Sequence, residues 1–254
     1  MRKTFLSIVS CLLLSFVLFS FIKANNKNTL VAAASVKDII VNKTSAGTEN
    51  NKAAAVKAAS AALYEHLNLG ELGLSAEAMD YAYKGYTYLR EKGMLDNSNI
   101  ITVCDFSQSS KKKRMYIIDV KNEKVLLNTY VAHGRNSGVD YATKFSNIPE
   151  SLQSSLGFYI TKDTYSGKHG LSLKLIGKER GWNDNAESRA VVVHGADYIG
   201  DNRLGAPYMG RSFGCPAVPQ AQAERVINYI KNGSCLFIYH PSKNYLTGSK
   251  ILNS

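Results

Sequence analysis

The chain has no close-spaced cysteine pair, no His-Glu-x-x-His segment and no internal repeat. The first two absences argue against structural zinc sites and metalloprotease helices, and the third leaves a non-repeating fold. Helix-turn-helix, zinc-finger and RNA-binding aromatic patterns are also missing, so the net charge of +11 does not by itself make a nucleic-acid binder. A basic surface attracts any polyanion, anionic lipid and acidic polymers included. The densest basic run, Lys111-Lys112-Lys113-Arg114, precedes an apolar alternating stretch and reads as a solvated turn. Composition carries no fibrous or disordered bias. At 45% hydrophobic, 254 residues can bury one substantial core and carry some accessory sequence.

Arg2 and Lys3 precede an apolar run, 5–22, broken only by serines and one cysteine. Positive charge followed by a hydrophobic segment is the signature of insertion into a secretory membrane. Residues 1–24 are therefore expected to be a signal peptide or a membrane anchor, and the protein to be exported to the periplasm or cell envelope. The run is long for a signal peptide and short for a spanning helix. Ile22-Lys23-Ala24 is a mediocre cleavage site, and Cys11 lies inside the run rather than after it, so cleavage and anchoring both stay open. Without Cys11 an odd set remains: Cys104, Cys215 and Cys235. At least one must be free or paired with another molecule. Cys215 is expected to be that one, with Cys104 and Cys235 as buried thiols in strand-like runs.

Residues 25–51 are rich in Asn, Lys, Thr, Ala and Ser and read as a flexible linker. A helical preface is expected over 52–98. Val56, Ala59, Leu63 and Leu67 share one helical face, and Ser75 offers an N-cap for a second helix that Gly93 can close. Tyr81, Tyr83, Tyr86 and Tyr88 on that helix could stack on sugars, but packing against the main domain is the simpler reading. From residue 100 the pattern turns to short β-rich runs at 100–106, 115–120, 124–131, 157–162, 171–176, 190–194 and 235–239, with a late helix opening at Pro219. The fold expected over 99–242 is a mainly β sandwich or barrel, followed by a tail at 243–254.

The segment Val191-Val192-Val193-His194-Gly195 brings a histidine to the end of a buried strand. After a loop comes Ser212-Phe213-Gly214-Cys215-Pro216-Ala217, in which Gly214 allows a tight turn that exposes the sulfur. A free thiol near pKa 8.5 is mostly protonated at neutral pH, and an adjacent imidazole can take its proton and later return it to a leaving amine. The backbone N–H groups of Gly214 and Cys215 are candidate oxyanion donors. A zinc site joining this pair to His133, His169 or His240 lacks the usual ligand spacing.

At these residues the sequence resembles the murein L,D-transpeptidase catalytic domain family of peptidoglycan enzymes. The shared stretches are Asp105-Phe106-Ser107, Val131-Ala132-His133-Gly134-Arg135-Asn136-Ser137-Gly138, Phe145-Ser146-Asn147, Ser155-Leu156-Gly157-Phe158-Tyr159 and Gly214-Cys215-Pro216-Ala217. The resemblance covers roughly residues 60–242, the helical preface included. The resemblance implies a β-rich catalytic fold, a Cys215 acyl-enzyme with His194 as base, and tetrapeptide stems of peptidoglycan as donors. It also implies support from the Ser212 hydroxyl, orientation of His194 by the Gly195 backbone, and neither a cofactor nor a metal. Two positions depart from the wider family, Phe213 where many members have His or Arg and Ala217 where many have Arg or Asn. Arg211, Arg203 or Arg135 are then candidate contacts for a stem carboxylate, and His133 a candidate groove residue. An L,D-carboxypeptidase resolving the same acyl-enzyme with water, and a wall-binding module without catalysis, are the alternative readings. The membrane is expected as a partner only through the N-terminal segment.

Overall fold

The computed structural model describes residues 49–254; the apolar N-terminal segment and nearly all of the expected linker lie outside them. Helix α1 (Glu49–His66) is followed by α2 (Ala76–Glu91). Ser75 caps α2 by accepting the Ala78 N–H at 3.1 Å, and Glu77 places negative charge at the positive end of the helix. Ala78, Met79, Ala82, Tyr83, Tyr86 and Leu89 recur at helical spacing and are all buried. Tyr83 and Tyr86 are thus packing residues. Gly85 lies in the same face because a Cβ there would fall 1.9 Å from the Phe158 ring, so the helix backbone rests directly on the sheet.

Eight strands follow: β1 (Ile100–Asp105), β2 (Met115–Asp119), β3 (Lys124–Thr129), β4 (Gly157–Gly167), β5 (Gly170–Gly177), β6 (Val192–Ala196), β7 (Ala217–Pro219) and β8 (Cys235–Tyr239). They form one mixed sheet in the order β3-β2-β1-β8-β4-β5-β6-β7, with β1–β8 and β6–β7 parallel. The sheet curls into a nearly closed barrel. Just past β3, Ala132 donates its N–H to the Ala217 carbonyl at 2.7 Å, and Gly134 bridges Ser212. Those bridges satisfy groups that an open edge would leave bare. Helix α3 (Ala223–Ile230) buries Val226, Ile227 and Ile230 against the barrel.

Three local expectations change. Arg114, read as part of a solvated run, is 0% exposed. Its guanidinium donates to the Val131 carbonyl at 3.1 and 3.0 Å and to the Gln108 carbonyl at 2.8 Å, so its N–H groups are satisfied within the fold. Pro219 ends β7 instead of opening a helix, and a 3₁₀ turn over Gln220–Gln222 intervenes before α3. Residues 243–254 pack as part of the domain through α4 (Lys243–Gly248). Tyr245 and Leu252 are buried, and the Tyr245 and Ser249 hydroxyls donate to the buried Glu179 carboxylate. Glu179 also accepts the Phe158 N–H at 2.8 Å, tying the chain end to β4. Burial raises the pKa of that carboxyl, and its three donors oppose the rise.

Candidate active site

Alternation along β6 decides what faces the site. Val193 is packed in the main core, so Val192 and His194 turn to the opposite face. There Ala196 and Ala217 join a smaller cluster with Tyr130, Ala132, Ile199 and Met209. Parallel pairing sets His194 opposite Ala217, which brings Cys215 alongside the start of β6. The partly exposed Cys215 Sγ accepts the Val192 N–H at 3.5 Å and approaches the Ala190 carbonyl at 3.7 Å. The sulfur therefore rests against the backbone of β6 on the approach to His194, rather than hydrogen-bonded to the imidazole.

The turn carrying the thiol is held from within. Gly214 has φ +127°, a region closed to most side chains, and a Cβ there would meet the Gln153 carbonyl oxygen at 2.8 Å. Ser212 Oγ accepts the Gly214 N–H at 3.0 Å and donates to the Cys215 carbonyl at 2.6 Å. The Gly214 N–H is thereby used to shape the turn. The Cys215 N–H has no protein acceptor among the described residues and is the open backbone donor beside the sulfur.

His194 Nδ1 lies 2.8 Å from the Gly195 carbonyl. A carbonyl only accepts, so Nδ1 carries the hydrogen and Nε2 of the neutral ring is a free base. Burial lowers the His194 pKa; the Gly195 carbonyl opposes this and His169 reinforces it. Burial raises the Cys215 pKa, while the Val192 N–H and the Arg189 cation pull it back. Both shifts favour a neutral thiol beside a neutral imidazole at rest.

Arg189 carries no signal in the sequence, yet it braces the site. Its guanidinium donates to the Ser146 and Gln153 carbonyls at 2.8 and 2.6 Å and to the Ser155 hydroxyl at 2.5 Å. It fastens the 146–155 loop beneath Gly214 and lends positive potential to Cys215. His169 was also missed as anything but a conceivable zinc ligand; its ring stacks on that of His194. Among the described residues no group of three or more His, Cys, Asp or Glu could hold a metal ion. Cys104, Cys215 and Cys235 are all free thiols.

The two expected substrate contacts fare differently. His133 is 0% exposed, with Nδ1 2.8 Å from Arg114 Nη2, so it supports the barrel closure from behind and does not line a groove. Arg211 is partly exposed but donates to the Arg135 and Gly138 carbonyls, both at 3.0 Å, and stacks over Tyr208. It knits the loops beside the site. Phe213 is 69% exposed, with the Arg135 guanidinium 5.9 Å from its ring centroid. Ala217 is buried where the barrel closes, which explains why a long polar side chain has no room there.

Residues 71–239 match the model of the L,D-transpeptidase catalytic domain, and the chain belongs to that family. No curated protein matches it. Solved structures similar to it include an L,D-transpeptidase from Mycobacterium smegmatis, at 13% identity and TM-score 0.35, covering 56% of this chain and 59% of that one. One from Mycobacterium tuberculosis H37Rv is 15% identical at TM-score 0.34, covering 56% of this chain and 58% of that one. One from Xylanimonas cellulosilytica is 14% identical at TM-score 0.33, covering 70% of this chain and 92% of that one. The chain thus spans under two thirds of the length of the two mycobacterial proteins, and the family assignment rests on the sequence match.

Proposed function

We propose that the protein is a peptidoglycan L,D-transpeptidase that forms a thioester between Cys215 and a tetrapeptide stem, with His194 as acid and base. The carrying observation is the parallel register of β6 and β7, which sets a partly exposed thiol and an imidazole with a free Nε2 along one edge. The Cys215 proton passes to His194 Nε2 as the sulfur attacks the stem carbonyl. The developing oxyanion meets the Cys215 N–H, and the imidazolium then protonates the departing D-alanine amine as the C–N bond breaks. An acceptor amine reverses the sequence: it gives its proton to His194, forms the new amide and frees the thiol. The residues hold no cofactor in this scheme. The charged N-terminus and apolar run support action on the wall side of the membrane, where such stems are found.

The test is mass spectrometry of disaccharide-tetrapeptide incubated with the wild type and with Cys215→Ala. The reading expects D-alanine release and a cross-linked dimer from the wild type alone. A trimmed tripeptide without dimer turns the enzyme into an L,D-carboxypeptidase. No release and no adduct on Cys215, together with retained binding to sacculi, turns it into a wall-binding module.

A further inference from the structure

Acyl transfer uses one imidazole, yet two lie face to face. His169 occupies the two-residue turn between β4 and β5, above the Gly167–Gly170 pair. Its ring centroid lies 4.3 Å from that of His194, with 23° between the planes. His169 is exposed, whereas His194 is 3% exposed, so the outer ring shields the inner one. The base of the same hairpin is fixed to the strand that carries His194, because Ser172 in β5 pairs opposite it. Gly170, at φ +73° with nothing within 4 Å of a would-be Cβ, supplies the left-handed bend that turns the tip back.

We propose that His169 is a positioning residue, whose imidazole clamps the His194 ring so that Nε2 stays directed along the edge toward Cys215. This rests on the reading of Cys215 and His194 as the acyl-transfer pair. The hydrogen bond from Nδ1 to Gly195 holds one atom of the ring and leaves its plane free to rock. A second aromatic face at stacking distance restrains the plane and keeps water off it. Stacked rings offer no N–H···N line, so no proton passes between them. The clamp also acts on charge. The groups against the His194 ring are His169 from the hairpin turn and the Gly195 carbonyl on its own strand, while the Cys215 sulfur of the 211–216 loop lies against Val192 at the start of β6. His169 adds to the lowering of the His194 pKa, so the base stays available at lower pH.

The experiment compares the full chain, His169→Ala and His169→Phe, each first checked for an unchanged melting temperature. Three readouts are taken: titration of the His194 ring by NMR, the pH dependence of Cys215 alkylation by iodoacetamide, and kcat/KM on disaccharide-tetrapeptide. With alanine the His194 midpoint should rise by about half a unit or more, moving the acid limb of both rate profiles to higher pH. kcat/KM should fall roughly 10-fold, mostly in kcat, as expected for a misaligned base. Phenylalanine restores a stack without a charge, so kcat should return to within about 3-fold of wild type. Unchanged His194 titration and alkylation in the alanine variant overturn the proposal, as does a phenylalanine variant as impaired as the alanine one. If the peptide stays untouched by all three proteins while the alanine variant still shifts both titration and alkylation, the clamp stands and the substrate reading falls.

Discussion

Two His-Gly pairs meet where the barrel closes, and they end up as chemical opposites. His133 Nδ1 faces the Arg114 guanidinium at 2.8 Å, while His194 Nδ1 faces the Gly195 carbonyl at the same distance. A guanidinium can only donate, so His133 Nδ1 must accept and its hydrogen sits on Nε2. A carbonyl can only accept, so the His194 hydrogen sits on Nδ1 and Nε2 is left as a base. Burial and then the Arg114 cation push His133 down to about 4. At neutral pH it is an uncharged wedge behind the site. The lesson is that the partner of one ring nitrogen, and not the dipeptide, decides whether the other nitrogen of a histidine is left as a free base.

Replacing the proposed reactive pair should break the comparison most visibly. Cys215→Ala and His194→Asn should each lower kcat/KM by at least about 10³-fold, whereas His133→Asn should change it only as far as folding is impaired. Steady-state kinetics beside urea melts separates the two classes; equal kinetic losses at His133 and His194 would erase the distinction.

Next in size is the cation that makes His133 what it is. Arg114→Met leaves the Val131 and Gln108 carbonyls without their donors and should cost about 3–5 kcal/mol, read from the urea midpoint at constant m-value.

The pH dependence of stability follows from the depressed His133 value. The unfolded chain protonates this ring near 6.5 and the folded chain only near 4. The folded state therefore binds fewer protons in that window, and stability is present above 6.5 and lost as pH falls toward 4. The loss assigned to this ring is about 3 kcal/mol, and His133→Asn should flatten that slope in urea melts between those pH values. An identical slope in the variant would assign it to other groups.

The smallest effect sharpens the contrast within one basic run. Lys112 is exposed where Arg114 is sealed, so Lys112→Gln should move the urea midpoint by less than about 0.5 kcal/mol.

Much of this was legible along the chain, because local periodicity and turn chemistry are local properties. The Ser75 cap, seven of the eight strands and the buried face of α2 follow from nearest-neighbour patterns, whereas His194, expected to end its strand, lies within β6 and pairs with Ser172 on one side and Ala217 on the other. The three-residue β7 was not legible, since a strand that short shows no alternation and is defined by its partners, β6 and Ala132. Docking of 243–254 escaped too. Its anchor is Glu179, an isolated acidic residue whose Tyr245 and Ser249 donors lie far along the chain.

The proposed chemistry, a cysteine after a glycine turn and a histidine following a run of valines, is suggested by residue type and order, because both patterns are local. Which nitrogen of which histidine is free depends instead on partners brought in from elsewhere in the barrel. So do the burial of Arg114, the taking of the Gly214 N–H by Ser212, the placing of Arg189 beneath the thiol and the folding of His169 over His194. Hydrogen bonds, desolvation and ring stacking act across space at a few ångströms, and only the folded barrel brings residues distant in the chain within that range.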